Sequence, residues 1–116
     1  MSAPFTLKDN WDFSRLYRRG KCYVSSALVI YALKNKTNNL RYGITTGKKT
    51  GNAVKRSRSR RIIRAAFSQV YPSLENGYDF IFVARSKTPF LKSTDIKREM
   101  EKLFQKAGLY NQVDNK

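Results

Sequence analysis

The chain has 116 residues, 41% of them apolar, and 24 lysines and arginines stand against 8 acidic residues for a net charge of +16. That length supports one domain with a single core, and apolar runs separated by turn residues exclude a disordered polyelectrolyte. A surface neutralised by its own ion pairs is excluded as well, because the anions are too few.

A short first helix is predicted over residues 9–19. Trp11, Phe13, Leu16 and Tyr17 give it a partial apolar stripe, Asp9 and Asp12 sit against the dipole in its first turn, and Gly20 stops it. Residues 22–34 read as one strand. Leu28, Ile30 and Ala32 alternate with Val29, Tyr31 and Leu33, so both faces are apolar and the strand is central. Cys22, near its start, is expected to be a small buried hydrophobe. Residues 34–39 form a polar turn of hairpin-like composition, and residues 40–46 a second strand antiparallel to the first, broken by Gly47.

A long helix is predicted from Asn52, whose side chain can cap free amides, to about Tyr71 before Pro72. Ile62, Ile63, Ala66, Phe67 and Val70 share a face that docks on a sheet. Lys55, Arg56, Arg58, Arg60 and Arg61 point in nearly every direction, so no face of that turn is expected to be buried and the amino-terminal half should project past the sheet edge. After a loop at residues 74–77, residues 78–85 form a third strand, apolar on both faces apart from Asp79. The final helix runs from residue 93 or 94 to 106 on Ile96, Met100, Leu103, Phe104 and Ala107, with Gly108 as its stop. Residues 111–116 read as a polar tail outside an ordered core of about residues 7–110. The order is helix, strand, strand, long helix, strand, helix: a single-domain α+β sandwich.

Charge is the dominant chemical signal. Between Asp12 and Glu75 there is no carboxylate, and those 62 residues hold 15 lysines and arginines, eight of them between Lys48 and Arg64. Unpaired like charge opposes compaction, so it suits a polyanion supplied from outside. Membrane binding would need an amphipathic helix with a bulky apolar face or a lipid anchor, and the chain shows neither signature. Nucleic acid is the better partner. Arginine's planar fork suits phosphate oxygens, and a helix start adds free amides aimed at anions.

Autonomous catalysis is not expected. The chain has no histidine, and its acids, Asp9, Asp12, Glu75, Asp79, Asp95, Glu99, Glu101 and Asp114, promise no converging set for a two-metal site. Lone Cys22 cannot form an internal disulfide or a Cys/His zinc cluster. With no visible secretory signal or apolar span, cytoplasm is the expected compartment. Phe13, Tyr17 and Tyr31 are either core or a stacking surface for unpaired bases; composition favours core but leaves both open.

Residues 51–67, reading Gly51-Asn52-Ala53-Val54-Lys55-Arg56-Ser57-Arg58-Ser59-Arg60-Arg61-Ile62-Ile63-Arg64-Ala65-Ala66-Phe67, resemble the signature helix of the bacterial ribonuclease P protein component. Tyr42-Gly43-Ile44-Thr45-Thr46-Gly47-Lys48-Lys49 is similar to the strand leading into it. Residues 12–20, 78–85 and 101–104 resemble the family's first helix, third strand and last helix, so the likeness spans about residues 7–110. One departure stands in the motif: Arg56-Ser57-Arg58 replaces arginine-asparagine-arginine, keeping a hydroxyl but losing reach and the amide donor.

The resemblance implies an αββαβα fold with a small mixed sheet and a left-handed βαβ crossover, which sequence alone would not justify. It implies a protein subunit that binds a catalytic RNA and the 5′ leader of precursor tRNA, while the RNA cleaves with Mg2+ held mainly by RNA subunit and substrate. By position, Asn52, Lys55, Arg56, Ser57, Arg58, Arg60, Arg61 and Arg64 face the catalytic RNA, and Phe13, Tyr17, Tyr31, Lys48 and Lys49 the leader. No catalytic or metal-binding residue of the protein is implied, and no obligate protein partner or membrane is evident. A basic ribosomal-type or RNA-chaperone protein and a metal-dependent nuclease acting alone are the alternatives.

Overall fold

In the computed structural model the described residues are 4–110, so the expected tail at residues 111–116 lies outside them. Among the described residues five strands form one mixed sheet: β1 (Phe5–Thr6), β2 (Lys21–Val24), β3 (Leu28–Lys34), β4 (Arg41–Thr45) and β5 (Tyr78–Ala84). The α-helices of the described residues are α1 (Asn10–Arg19), α2 (Ala53–Val70) and α3 (Ser93–Ala107). The strand order is β1-β4-β5-β3-β2. β5 lies at the centre, antiparallel to β3 and parallel to β4, and β1 adds a short parallel edge to β4. The expected αββαβα order is retained, with two additions to the sheet.

The first addition corrects the single strand expected over residues 22–34. The chain reverses at Ser25, whose hydroxyl accepts the amides of Ala27 (3.1 Å) and Leu28 (3.2 Å), and β2 folds back on β3. A serine hydroxyl mimicking a backbone acceptor is enough to turn two apolar stretches into a hairpin. β2 therefore forms an edge of the sheet, and Cys22 is exposed rather than buried. The second addition is β1, too short to read from two residues.

Residues 35–39 are not a hairpin turn. β3 and β4 run in opposite directions, but β5 is inserted between them. The loop is shaped by Asn35, whose Oδ1 accepts the Thr37 amide (2.9 Å) while its Nδ2 donates to Asn39 O (3.0 Å).

The sheet carries α2 and α3 on one face and α1 on the other. Phe80, Phe82 and Ala84 of β5 point toward α2 and α3, where Ile63, Ala66, Phe67, Val70, Ile96, Met100, Leu103 and Phe104 are buried. Phe67 is 4.9 Å from Phe82 and 6.1 Å from Phe80 between ring centroids. Each of these buried phenylalanines contributes about 1.5–3 kcal/mol. On the other face Leu16 of α1 packs with Leu7 and Ile81, flanked by Phe13, Tyr31, Leu33 and Val83.

Both helix ends follow from local chemistry. Asn52 Oδ1 accepts the Lys55 amide at 3.0 Å and opens α2. Gly108, at φ 71°, closes α3 in the left-handed region. α2 differs from expectation in its first half, which does have a buried side. Ser59 is fully buried, its hydroxyl donating to Lys55 O (2.9 Å), and Arg56 and Arg60 are half-buried. A serine between arginines is small enough to let that side of the helix settle on the protein.

Candidate nucleic-acid interface

α1 covers only part of its face of the sheet. The uncovered part is a cleft of about 440 Å3 lined by Cys22, Val24, Val29, Tyr31, Lys49, Val83, Ala84, Arg85 and Ser86. Tyr17, on α1, meets Tyr31, on β3, edge to face with centroids 4.9 Å apart, and its hydroxyl donates to Thr45 Oγ1 at 3.3 Å. Tyr17 is exposed and Tyr31 half-buried, so both rings keep surface for a flat partner. The Tyr31 hydroxyl is pushed above its ordinary value, first by hydrogen bonding with Cys22 across the hairpin and then by burial.

Phe13 is seated differently. Its ring lies against Gly43 of β4, where an added Cβ would stand 2.5 Å from Phe13 Cζ. The absence of a side chain at Gly43 is what lets α1 sit this close, and Phe13, like Tyr31, packs against the Leu7, Leu16 and Ile81 cluster. Lys48 and Lys49 share the 3-10 turn Lys48–Thr50 after β4 and are both exposed, but only Lys49 lines the cleft. Sequence reasoning missed Arg85, whose guanidinium donates to Ser25 O at 2.9 Å beside the same cleft. Its one signal was a cation ending an apolar strand. Only the strand pairing brings it to Tyr31.

The second surface is the outer side of α2. Ala53, Val54, Ser57, Arg58 and Arg61 line a shallow groove of about 350 Å3. Arg64, one turn further on, is also exposed and borders a separate recess with Pro4, Tyr42, Phe67, Ser68 and Tyr71. Arg60 is turned aside, its Nη1 donating to Thr46 Oγ1 at 2.8 Å, and Lys55 lies over the Phe90 ring at 5.0 Å. Asn52 is occupied as the helix cap. The eight positions therefore divide: Ser57, Arg58, Arg61 and Arg64 face outward, Arg56 is half-buried, and Asn52, Lys55 and Arg60 also make contacts within the protein. Among the described residues no ion pair involves a cation of α2; the pairs lie instead around Asp79 and Asp12, and along α3.

The Asp79 cluster is the other feature invisible in sequence. Asp79 is fully buried and accepts from Arg41 Nε (2.8 Å) and Nη2 (2.6 Å), Arg15 Nη2 (2.9 Å) and Asn35 Nδ2 (2.8 Å). Asp12 stands 3.7 Å from both guanidinium groups. These contacts raise the Arg41 pKa, chiefly through its hydrogen bonds to Asp79. The cluster fastens α1 to β4 and β5 and so sets where Tyr17 stands.

The family model described as Ribonuclease P matches residues 1–108. The ribonuclease P protein component of Clostridium beijerinckii is 40% identical over 114 residues, covering 92% of this chain and 91% of that protein. That of Clostridium novyi is 40% identical over 107 residues, with 90% and 95% covered. Among solved structures, the RNase P protein of Staphylococcus aureus superposes with a TM-score of 0.81 at 30% identity, covering 94% of this chain and 100% of that one. The RNase P protein of Thermotoga maritima shares the fold, with a TM-score of 0.77 at 22% identity over 87% and 96% of the two chains.

Proposed function

The chain belongs to the ribonuclease P family, and from that premise we infer that it is the protein subunit of the ribonucleoprotein endonuclease that removes the 5′ leader of precursor tRNA. The observation that carries the reading is the separation of two surfaces on one rigid sheet. An arginine face without counter-charge among the described residues suits the folded catalytic RNA, and a cleft that carries Tyr31 on an aliphatic floor, rimmed by Lys49 and Arg85, suits an unpaired leader. The protein binds and orients; the RNA performs the hydrolysis.

Magnesium belongs to the RNA in this reading. Among the described residues no group of three or more Cys, Asp or Glu side chains is placed to hold a metal ion, and Asp79 is committed to two guanidinium groups. The protein's residues do not fit the ion, and we assign it to RNA subunit and substrate. Cytoplasm is the proposed compartment; among the described residues no helix is long and apolar enough to cross a membrane.

The deciding experiment mixes precursor tRNA with the catalytic RNA at low magnesium, with and without the protein. Leader release only in the complete mixture supports the assignment. Release by protein alone indicates an autonomous nuclease, and no stimulation leaves an RNA chaperone as the reading.

The cleft makes a sharper prediction. Tyr31→Ala removes one stacking ring, worth about 1–3 kcal/mol per base, and should weaken binding of precursor tRNA to the holoenzyme while leaving mature tRNA unchanged. Tyr31→Phe, which keeps the ring, should bind nearly as the parent does. Equal losses for precursor and mature tRNA would remove the leader from the cleft.

A further inference from the structure

Phe90 is 69% exposed, although the turn that carries it is fixed on every side. Thr88 is fully buried, its hydroxyl donating to Ala27 O at 2.6 Å and accepting the Arg85 amide at 2.8 Å. Pro89 is buried and fixes its own φ. The amides of Phe90 and Leu91 donate to Lys87 O and Thr88 O, each at 3.1 Å. Leu91, the next residue, already packs against the core from this turn. The phenyl ring is thus presented outward by a pinned backbone, and its contact with the Lys55 ammonium leaves most of its surface open.

The cation over its ring is also positioned. Lys55, in the first turn of α2, places Nζ 5.0 Å from the ring centroid. The lysine stem lies along Gly51, where an added Cβ would stand 2.7 Å from Lys55 Cδ, and Gly51 holds φ 128°, a conformation side chains disfavour. A bare glycine thus leaves the room that steers the ammonium over the ring. Exposed Lys87 and Lys92 flank Phe90 in sequence. An aromatic face set among cations is the combination that single-stranded nucleic acid recognises: a base for the ring, phosphates for the charges. A second copy of this chain, itself at +16, would bring repulsion to the same place.

We propose that Phe90 is a stacking platform for one unpaired base of the RNA subunit, continuing the arginine face of α2 onto the turn before α3. The proposal rests on the reading of this chain as the protein subunit and adds a residue whose contribution is not electrostatic. One ring face lies under Lys55; the exposed remainder receives the base.

The test is equilibrium binding of the full chain to the catalytic RNA alone, for the parent, Phe90→Ala, Phe90→Trp and Phe90→Leu, with thermal melting as a check on folding. Phe90→Ala should bind roughly 5- to 150-fold more weakly, the range expected when a single stack is removed. Phe90→Trp should match or exceed the parent. Phe90→Leu, apolar but unable to stack, should stay weakened. The salt dependence should keep its slope in all four proteins because every phosphate-binding cation is retained. Parent affinity in Phe90→Ala overturns the proposal, as does full rescue by leucine. Failure of the parent itself to bind the catalytic RNA would instead overturn the functional reading on which the proposal stands.

Discussion

Replacing Asp79 with alanine is expected to destabilise the protein by about 3–5 kcal/mol, the usual cost of removing one partner from a buried charge cluster. For a domain whose total stability is on the order of 5–15 kcal/mol, that is a large share. Arg15 and Arg41 keep only 22% and 28% of their side-chain surface, and Asp12 at 3.7 Å is a poor substitute for direct hydrogen bonds. Two guanidinium groups would then repel each other at the joint between α1 and the sheet. Asn35 would also lose the acceptor that ties the loop between β3 and β4 to β5. Denaturant unfolding measures the effect, and a loss below about 1 kcal/mol would mean that solvent already screens the cluster. Replacing Asp79, Arg15, Arg41 and Asp12 together with uncharged residues of similar size should cost less than Asp79→Ala alone, because no uncompensated charge remains.

The functional consequence separates this cluster from the outward arginines of α2. Asp79 touches no ligand surface; it positions α1, and α1 positions Tyr17 against Tyr31. Loosening the joint should therefore erode discrimination between precursor and mature tRNA in whatever fraction remains folded. Affinity for the catalytic RNA, which we assign to α2 on the opposite face of the sheet, should change little.

Most helices were legible because their signals are local. Asn52 caps α2, Gly108 closes α3, and the Ile96-Met100-Leu103-Phe104 stripe is buried as its spacing requires. β3, β4 and β5 were legible as strands but not as neighbours, while β1 was not read and β2 was merged with β3. Nothing local to residues 34–46 says that a segment beginning at Tyr78 will slide between β3 and β4, because that pairing is settled by the βαβ crossover through α2. Asp79 shows the same limit: a carboxylate in an apolar strand looks like a misfit until β5 lands beside Arg41 and beneath Arg15. Tyr17 and Tyr31 were identified as residues, but whether they formed core or surface depended on how far α1 covers the sheet. The turn at Ser25 and the buried Ser59 were missed for a different reason. Each depends on one hydroxyl choosing a backbone partner, which apolar periodicity does not report.

The outward arginines of α2 carry the second large effect. Arg58→Glu with Arg61→Glu should weaken binding to the catalytic RNA by roughly 100-fold or more at physiological salt. Each phosphate that an arginine neutralises releases counterions, and each new carboxylate adds repulsion. The slope of log affinity against log salt should become shallower by about 1.4–1.8, at about 0.7 to 0.9 for each phosphate no longer neutralised. Because both side chains are exposed and have no ion-pair partner among the described residues, folding stability should hold or rise as like charge is relieved. Arg60→Glu is predicted to behave differently, since its guanidinium is bound to Thr46 and α2 would lose an anchor to the segment after β4. A double reversal that weakened binding without changing the salt slope would point to a distorted helix rather than to missing phosphate neutralisation. Unchanged affinity would show that the excess charge of this helix serves some other polyanion.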